Sequence, residues 1–220
     1  MTDDFQRQYR LRFSERSEYR DRVWKVLIRE FFQTYVPRDG TVLDLGCGWG
    51  EFINNVEART KYAMDLNGDA ASKLAPTIRF FQQDCSKTWP LDNHSLDVVF
   101  SSNFLEHLPS KPMLCDTMIE VRRCLKPAGR LICLGPNIRC VHGAYWDFWD
   151  HHIPLTERSL SELMRLVGFR VATEKARFLP YTMSRGRSVP TSLVKVYVRL
   201  PFLWPIFGRQ FFVVAEKGET

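Results

Sequence analysis

Hydrophobic positions along this chain switch between the spacing of an amphipathic helix and the short apolar runs of buried strands. A first helical stripe, which Pro37 should end, consists of Tyr19, Val23, Val26, Leu27, Phe31 and Tyr35. Short, largely apolar runs then occupy residues 41–45, 61–65, 77–82 and 96–102, and a helix is expected at residues 51–58. Apolar strands of this kind are typical of a parallel sheet that is covered on both faces.

The second half of the chain continues the alternation of helix and strand. A helical stripe covers residues 113–125, a strand is expected at 130–135, and a short helix at 159–167 precedes strands at 168–178 and 210–217. This alternation predicts a single α/β domain with a doubly wound, mostly parallel, seven-stranded Rossmann-like sheet. The last two strands are expected to form an antiparallel edge.

Composition and charge fit a globular protein and limit its expected location and partners. The 220 residues are 45% hydrophobic and 25% charged, and the six cysteines form no CxxC pair, so we expect reduced, buried thiols. Neither a signal peptide nor a membrane span is expected, which predicts a cytoplasmic protein. The net charge of +6 is concentrated in residues 158–220. We interpret this surplus as a solvated basic face and do not expect a nucleic-acid partner.

Glycines and acids at successive strand ends are the strongest chemical signal. The first strand contains Asp44 and leads into the turn Gly46-Cys47-Gly48, where a missing Cβ lets backbone approach a ligand closely. About twenty residues later Asp65 ends the second strand, where an acid can accept hydrogen bonds from a ribose diol. Asp84 and Cys85 follow the third strand. Three such acids suit a ligand with an ammonium group, a ribose and an exocyclic amine, and do not suit a pyrophosphate.

These motifs resemble those of class I S-adenosylmethionine-dependent methyltransferases of the small-molecule type. In chain order the matching stretches are VLDLGCGWG, YAMDLN, FFQQDC, LDVVFSSNFLEHL and LKPAGRLICLGPN, which together span about residues 41–137. The resemblance implies S-adenosyl-L-methionine as cofactor. It also implies one domain over residues 1–220, with a helical arm (1–38), a cofactor-binding core (39–137) and an acceptor-side segment with edge strands (138–220).

The resemblance also assigns roles to residues of the cofactor site. Gly46, Cys47 and Gly48 would line the methionine part, and Asp44 would help to hold its amino group. Asp65 would bind the ribose, with Leu66 beside it in the cofactor-binding set. Asp84 and Cys85 would flank the adenine, and Asn103 with Phe104 would lie beneath it near the sulfonium. Tyr9, Arg10 or Arg12 of the helical arm would reach the methionine carboxylate.

Two histidines are the candidate catalytic residues. A base is needed only if the acceptor must lose a proton, and the candidates are His107, next to Glu106, and His151, next to His152 in the aromatic segment 145–152. For His107 a general base and a hydrogen-bonded structural histidine both stay open. The aromatic segment is either an acceptor surface or a lid packed on the core.

We expect no metal ion at these histidines. Some ubiquinone-type and RNA-end methyltransferases use a similar Glu-x-x-Glu-His segment to bind a metal, but Asn103 stands in place of the first carboxylate here. Glu106, His107 and His151 or His152 are the residues that would otherwise supply ligands.

Differences between this chain and related motifs narrow the choice of methyl acceptor. The fourth strand ends in Ser-Ser-Asn-Phe-Leu and not in the Asn/Asp-Pro-Pro-Tyr/Phe motif of enzymes that methylate exocyclic amines, so we expect transfer to oxygen. The segment 180–207 is basic and aromatic, with Tyr181, Arg185, Arg187, Tyr197, Phe202 and Trp204. It favours an anionic or carrier-linked small molecule, such as a sugar nucleotide or a lipid-linked intermediate. An NAD(P) enzyme, a nucleic-acid or protein methyltransferase and a non-catalytic binding module are the alternatives.

Overall fold

A computed structural model describes residues 17–181 and 188–218, and a seven-stranded sheet forms its centre. The strands are β1 (Thr41–Leu45), β2 (Thr60–Asp65), β3 (Arg79–Gln82), β4 (Leu96–Ser102), β5 (Leu125–Pro136), β6 (Phe169–Lys175) and β7 (Gln210–Lys217). Their order across the sheet is β3-β2-β1-β4-β5-β7-β6. The predicted doubly wound α/β fold is confirmed.

The direction in which strands are added reverses between β1 and β4. From β1 the chain adds β2 and then β3 on one side, returns to pair β4 with the other side of β1, and continues to β5, all in parallel. Ligands of open α/β sheets bind at such a switch point, outside the carboxyl ends of the strands. The expected antiparallel edge is also confirmed, because β7 pairs antiparallel with both β5 and β6.

Helices cover both faces of this sheet. They are α1 (Ser17–Glu30), α2 (Lys111–Cys124), α3 (Ile138–Val141), α4 (Glu157–Leu166), α5 (Thr191–Arg199) and α6 (Trp204–Phe207). Short 3-10 helices occupy Phe32–Tyr35, Gly68–Lys73, Leu105–His107, His142–Asp147 and Pro201–Leu203. Among the described residues, no helix combines the length and the apolar character that crossing a membrane requires. All six cysteines are free thiols, and Cys115 alone among them is not fully buried.

The prediction of a helix at residues 51–58 is wrong, because this segment forms successive turns. The side chains of its two adjacent asparagines form hydrogen bonds with residues outside the segment. Asn54 accepts a hydrogen bond from the Ala75 N–H and donates to the Lys73 carbonyl, while Asn55 donates to Asp21. Asparagine side chains that bond backbone or distant groups compete with a regular helix.

The start of α4 also differs from the sequence prediction. The helix begins at Glu157 and not at residue 159, because Thr156 is its N-cap and forms a capping box with Ser159. Ser159 and Glu162 have the same spacing as the two residues of a capping box. Both pairs have the three-residue spacing, and the side chain that accepts from the N3 N–H decides where the helix begins.

Two apolar clusters pack against opposite faces of the sheet. Successive β5 residues alternate between them, since Leu131 belongs to the first cluster and Ile132 to the second. Residues of α2 and α4 pack in the first cluster, and residues of α1 pack in the second. In the second cluster Phe52 stacks on Phe100 with ring centroids 3.6 Å apart, and Trp24 meets Phe100 edge-on at 5.9 Å.

Because Phe100 is fully buried in this aromatic group, Phe100→Ala should lower the free energy of unfolding by about 3–5 kcal/mol. Urea denaturation followed by circular dichroism measures the change. Phe202→Ala is the control, because Phe202 is 66% exposed and its loss should change stability by less than about 0.5 kcal/mol. Equal losses in the two variants would show that the aromatic group does not stabilise the fold as described.

Candidate functional site

A cavity of about 320 Å³ opens at the carboxyl ends of β1, β2 and β4. This volume lies in the range of small-molecule sites. Most of the predicted cofactor-binding residues and both candidate catalytic histidines line it: Asp44, Gly46, Cys47, Asp65, Leu66, Asp84, Cys85, Asn103, Phe104, His107 and His151. Gly48 does not line the cavity and instead donates its N–H to the Asp65 carboxylate at 2.9 Å.

The turn after β1 requires glycine for two separate reasons. Gly46 has φ +69° and Gly48 has φ +52°, in the left-handed region that glycine enters without strain. A Cβ on Gly46 would lie 2.1 Å from the ring of Phe104. The N–H groups of Gly46 and Cys47 both donate to the Met64 carbonyl, at 2.9 and 3.1 Å, which ties the turn to β2.

Asp65 is fixed across this turn by backbone donors. One carboxylate oxygen accepts from the Gly48 N–H and the other from the Asn67 N–H, both at 2.9 Å. Burial raises the pKa of Asp65, and these backbone hydrogen bonds oppose that shift. Each carboxylate oxygen has a further lone pair, so Asp65 can also accept hydrogen bonds from a diol.

Acidic side chains cluster at the end of the cavity beside Asp44. Burial, followed by the nearby carboxylates of Glu51 and Asp65, raises the pKa of Asp44 well above its usual value. The buried Arg20 of α1 donates from Nε to Glu51 at 2.8 Å. A ligand with a positive charge would offset the remaining repulsion among these carboxylates.

The other end of the cavity is less charged. Asp84 accepts hydrogen bonds from the N–H and the hydroxyl of Ser86, at 2.9 and 2.8 Å. Burial raises the pKa of Cys85 to about 11, and its sulfur lies 3.3 Å from the Thr117 hydroxyl. Burial likewise raises the pKa of Cys47. Both cysteines are therefore neutral thiols that contribute apolar wall.

Asn103 has a buried acceptor directed at no other described residue. It follows β4 with φ +51°, donates its backbone N–H to the Leu134 carbonyl at 3.0 Å, and donates its side-chain amide to the Ser102 hydroxyl at 3.0 Å. Its Oδ1 atom is buried without a hydrogen-bond partner among the described residues. Because a buried acceptor without a donor is costly, this atom fits a ligand that brings an N–H or O–H group.

Glu106 and His107 form the polar part of the wall beyond Phe104. Glu106 is 1% exposed, and neither carboxylate oxygen has a hydrogen-bond partner within the described parts of the chain. Burial raises the pKa of Glu106 to about 7, and the neighbouring His107 opposes that shift. The Nδ1 atom of His107 lies 3.0 Å from the Asp150 carbonyl and 3.2 Å from its carboxylate. Burial lowers the pKa of His107, but Asp150 and Glu106 outweigh it and raise the value.

Backbone hydrogen bonds bring His151 to the same place. The N–H groups of His152 and Ile153 both donate to the Glu106 carbonyl, at 2.9 and 3.2 Å. The His151 ring consequently lies 4.8 Å from that of His107, whereas the side chain of His152 is exposed. Glu106, His107 and His151 each offer one potential metal-ligand atom, and these atoms lie within 4.8 Å of one another.

The aromatic segment after β5 is divided between the core and the cavity wall. Tyr145 is fully buried and donates its hydroxyl to the Ile153 carbonyl, so it packs the segment onto the core. Phe148 lines the cavity and stacks on His151 at 5.0 Å, while Trp149 is 90% exposed.

The segment 180–207 contributes less to the cavity than the sequence suggests. Tyr181 lines the cavity, but Trp204 is buried in the core and Tyr197 donates its hydroxyl to the Phe178 carbonyl. These two aromatics therefore do not line the cavity. Arg185 and Arg187 lie outside the described residues.

Several cavity residues were missed by the sequence analysis. Arg20, Glu51, Asp150 and Gln210 all line the cavity. Arg20 had a usable signal, because it is a cation beside Tyr19 and Val23 on an otherwise apolar helix face. Tyr9, Arg10 and Arg12, which the sequence offered for the same end, lie outside the described residues.

Comparisons with known proteins agree with this geometry. A family model described as a methyltransferase domain matches residues 16–174. A protein of Encephalitozoon cuniculi described as a methyltransferase is 31% identical over 119 residues, which span 54% of this chain and 55% of that protein. The chain thus matches about half the length of this curated relative.

Two solved structures share the fold. A methyltransferase from Haloferax volcanii, in complex with the activator Trm112, has a TM-score of 0.67 and 18% identity, with 94% of this chain and 95% of that chain covered. An S-adenosylmethionine-dependent methyltransferase from Archaeoglobus fulgidus has a TM-score of 0.66 and 20% identity, with 92% and 97% covered. This chain belongs to the methyltransferase domain family, with the class I fold, and S-adenosyl-L-methionine is the cofactor that family and fold imply.

Proposed function

We propose that this protein is an enzyme that transfers a methyl group from S-adenosylmethionine to an oxygen atom of a small-molecule acceptor. One observation carries the proposal: a single cavity joins the carboxylates around Asp44 and Asp65 to the cluster of Glu106, His107 and His151. The first group suits a cationic nucleoside, and the second can bind a hydroxyl and accept its proton. When bound, the cofactor supplies an electrophilic methyl group on a positively charged sulfur.

The cofactor fits the polar groups that this chain presents. Asp65 would accept from the ribose hydroxyls, Asp44 would pair with the ammonium group, and Arg20 would pair with the carboxylate. The unpartnered Oδ1 of Asn103 would accept from a ligand donor. The other cofactor-binding residues of this proposal form the walls: Gly46, Cys47, Leu66, Asp84, Cys85 and Phe104, with Gly48 acting through Asp65.

His107 would take the proton of the acceptor hydroxyl. Its Nδ1 atom is engaged by Asp150, which fixes the ring and leaves Nε2 as the atom that accepts a proton. His151, stacked on Phe148, would position the acceptor beside it. The aromatic rings would also exclude water, and alignment with exclusion of water is most of what methyl transfer requires of a protein.

The nature of the acceptor and the setting of the enzyme are part of the same proposal. We propose that the acceptor is an anionic or carrier-linked small molecule, because the segment 180–207 is basic. We also propose that the protein is cytoplasmic. It would form a single domain with three parts, residues 1–38, 39–137 and 138–220. A non-catalytic binding module and a nucleic-acid or protein methyltransferase are the rivals.

A metal ion is a second candidate use of the acceptor-side cluster. It is favoured by the two unpartnered oxygens of Glu106 and by the proximity of His107 and His151, because catalytic metal sites often have three protein ligands and an open position. We prefer proton transfer, since Asn103 removes the second carboxylate that similar motifs bring to a metal.

The cofactor site is tested by Asp65→Asn. Loss of the charged acceptor should weaken S-adenosylhomocysteine binding about 10- to 100-fold, because hydrogen bonds to charged groups contribute about 1.5–3 kcal/mol. Isothermal titration calorimetry measures the affinity, and Asp116→Asn, at an exposed position of α2, is the control. If the wild-type protein binds NAD and not S-adenosylhomocysteine, the proposed function is wrong.

The glycine turn is tested by Gly46→Ala. The new Cβ must displace Phe104 and adopt a positive φ, so the free energy of unfolding should fall by about 2–4 kcal/mol, and S-adenosylhomocysteine affinity should fall at least about tenfold. Gly143→Ala is the control, because a Cβ there meets nothing within 4 Å. Urea denaturation and calorimetric titration supply the two readouts. Unchanged binding in Gly46→Ala would mean that this turn does not shape the site.

The proton-transfer role is tested by His107→Gln. With the acceptor identified from a metabolite extract that gains label from labelled cofactor, kcat should fall about 10²- to 10⁴-fold. S-adenosylhomocysteine affinity should stay unchanged, and His152→Gln should retain full activity because that side chain is exposed.

Chelation distinguishes the two uses of this cluster. We expect wild-type kcat to survive dialysis against EDTA. Loss of activity that added Mn²⁺ or Zn²⁺ restores would replace the proton-transfer role of His107 with a metal site, while leaving the cofactor site intact.

A further inference from the structure

Large apolar side chains are exposed together on one segment, residues 188–207, which we call the apolar strap. It comprises α5, the turn Pro201–Leu203 and α6. Its exposed apolar residues are Val189, Leu193, Val196, Phe202, Ile206 and Phe207, at 39–66% exposure. Single exposed apolar residues are ordinary on protein surfaces, but a contiguous group marks an interaction site.

The opposite side of the apolar strap is packed in the ordinary way. Val198 and Trp204 are buried in the second apolar cluster. Arg199 forms an ion pair with Glu30 of α1 at 2.5 Å, and Lys195 lies 3.8 Å from the same carboxylate. The segment is therefore anchored to the fold by one face, and no part of residues 17–181 or 188–218 covers the apolar side chains on the other.

Charge around the apolar strap indicates what covers it. Residues 175–215 contain seven Lys or Arg residues and no Asp or Glu. Glu30 of α1 offsets Lys195 and Arg199, and Arg177 and Arg209 are the members of this set that precede and follow the apolar strap among the described residues. Short amphipathic helices with Phe, Leu and Ile on one side and basic residues around them are typical of elements that lie in the interface of an anionic membrane.

We propose that the apolar strap docks this protein on the surface of an anionic lipid bilayer. Phe202, Ile206 and Phe207 enter the boundary between headgroups and acyl chains, and basic residues of the stretch 175–215 that do not pair with Glu30 contact lipid phosphates. No helix crosses the bilayer in this arrangement. The protein binds to one face of the membrane as a peripheral, reversible partner.

Docking would bring the cavity close to the lipid surface. The chain leaves the cavity wall at Tyr181, forms the apolar strap, and returns to the wall at Gln210. The side-chain amide of Gln210 donates to the Pro180 carbonyl at 2.9 Å, so the two ends of the segment are joined beside the cavity. If the proposed function holds, an acceptor carried on a lipid anchor would reach the cavity from the membrane; docking itself does not require that function.

Sedimentation with vesicles tests the proposal on the full chain. We expect binding to vesicles of 30% phosphatidylglycerol and 70% phosphatidylcholine to be at least about tenfold tighter than to phosphatidylcholine alone, and to weaken as salt is added. Phe202→Ser with Phe207→Ser should reduce binding at least about tenfold, because two exposed aromatics no longer enter the lipid. Ile119→Ser with Leu166→Ser is the matched control, since these residues are 51% and 79% exposed on α2 and α4.

Two further measurements separate the possible failures. The aromatic double variant should keep wild-type S-adenosylhomocysteine affinity, which shows that it is folded. Wild-type protein that binds the nucleoside but ignores anionic vesicles overturns the docking proposal and leaves the proposed function standing. Wild-type protein that binds anionic vesicles but not the nucleoside overturns the proposed function and leaves the docking proposal standing. A wild-type dimer that the aromatic double variant converts to a monomer, without any lipid binding, would make the apolar strap an interface between copies and overturn lipid docking.

Discussion

The packing of Phe104 on the bare backbone of Gly46 is the contact on which the site depends. The ring occupies the space that a Cβ would fill, so the turn after β1 and the turn after β4 approach each other at the switch point of the sheet. The same turn is tied to β2 through the Met64 carbonyl and, by way of Gly48, to Asp65. The ends of β1, β2 and β4 thus all meet at this one turn, and a side chain at Gly46 would push them apart.

This geometry brings three acidic side chains together at one end of the cavity. Asp44, Glu51 and Asp65 influence one another through a buried region in which Arg20 is the cation paired with Glu51. Burying like charges costs free energy unless a partner is present. A cationic ligand therefore gains affinity by relieving repulsion that exists before it binds. A dinucleotide, whose pyrophosphate is anionic, would increase that repulsion.

Local patterns predicted the sheet and the strand-end residues that line the cavity, because a strand end and the glycine turn that follows it are consecutive in the sequence. The helix expected at residues 51–58 failed because Asn54 and Asn55 bond to groups brought close by the fold. The proximity of His151 to His107 depends on two backbone bonds to Glu106 from a segment more than forty residues away. The role of Asp150 depends on the same tertiary pairing, so neighbouring residues in the sequence gave no indication of it.

The acceptor side and the apolar strap have one structural feature in common, the joint between Pro180 and Gln210. A segment that extends from a wall and returns to it can change its outer surface without changing the cofactor site, because Val198 and Trp204 keep it packed on the core. Under the two proposals made above, recognition of the acceptor and recognition of a lipid surface would vary together on this one segment. The turn at Gly46 would tolerate little change, whereas this segment would accommodate differences in acceptor at little cost to stability.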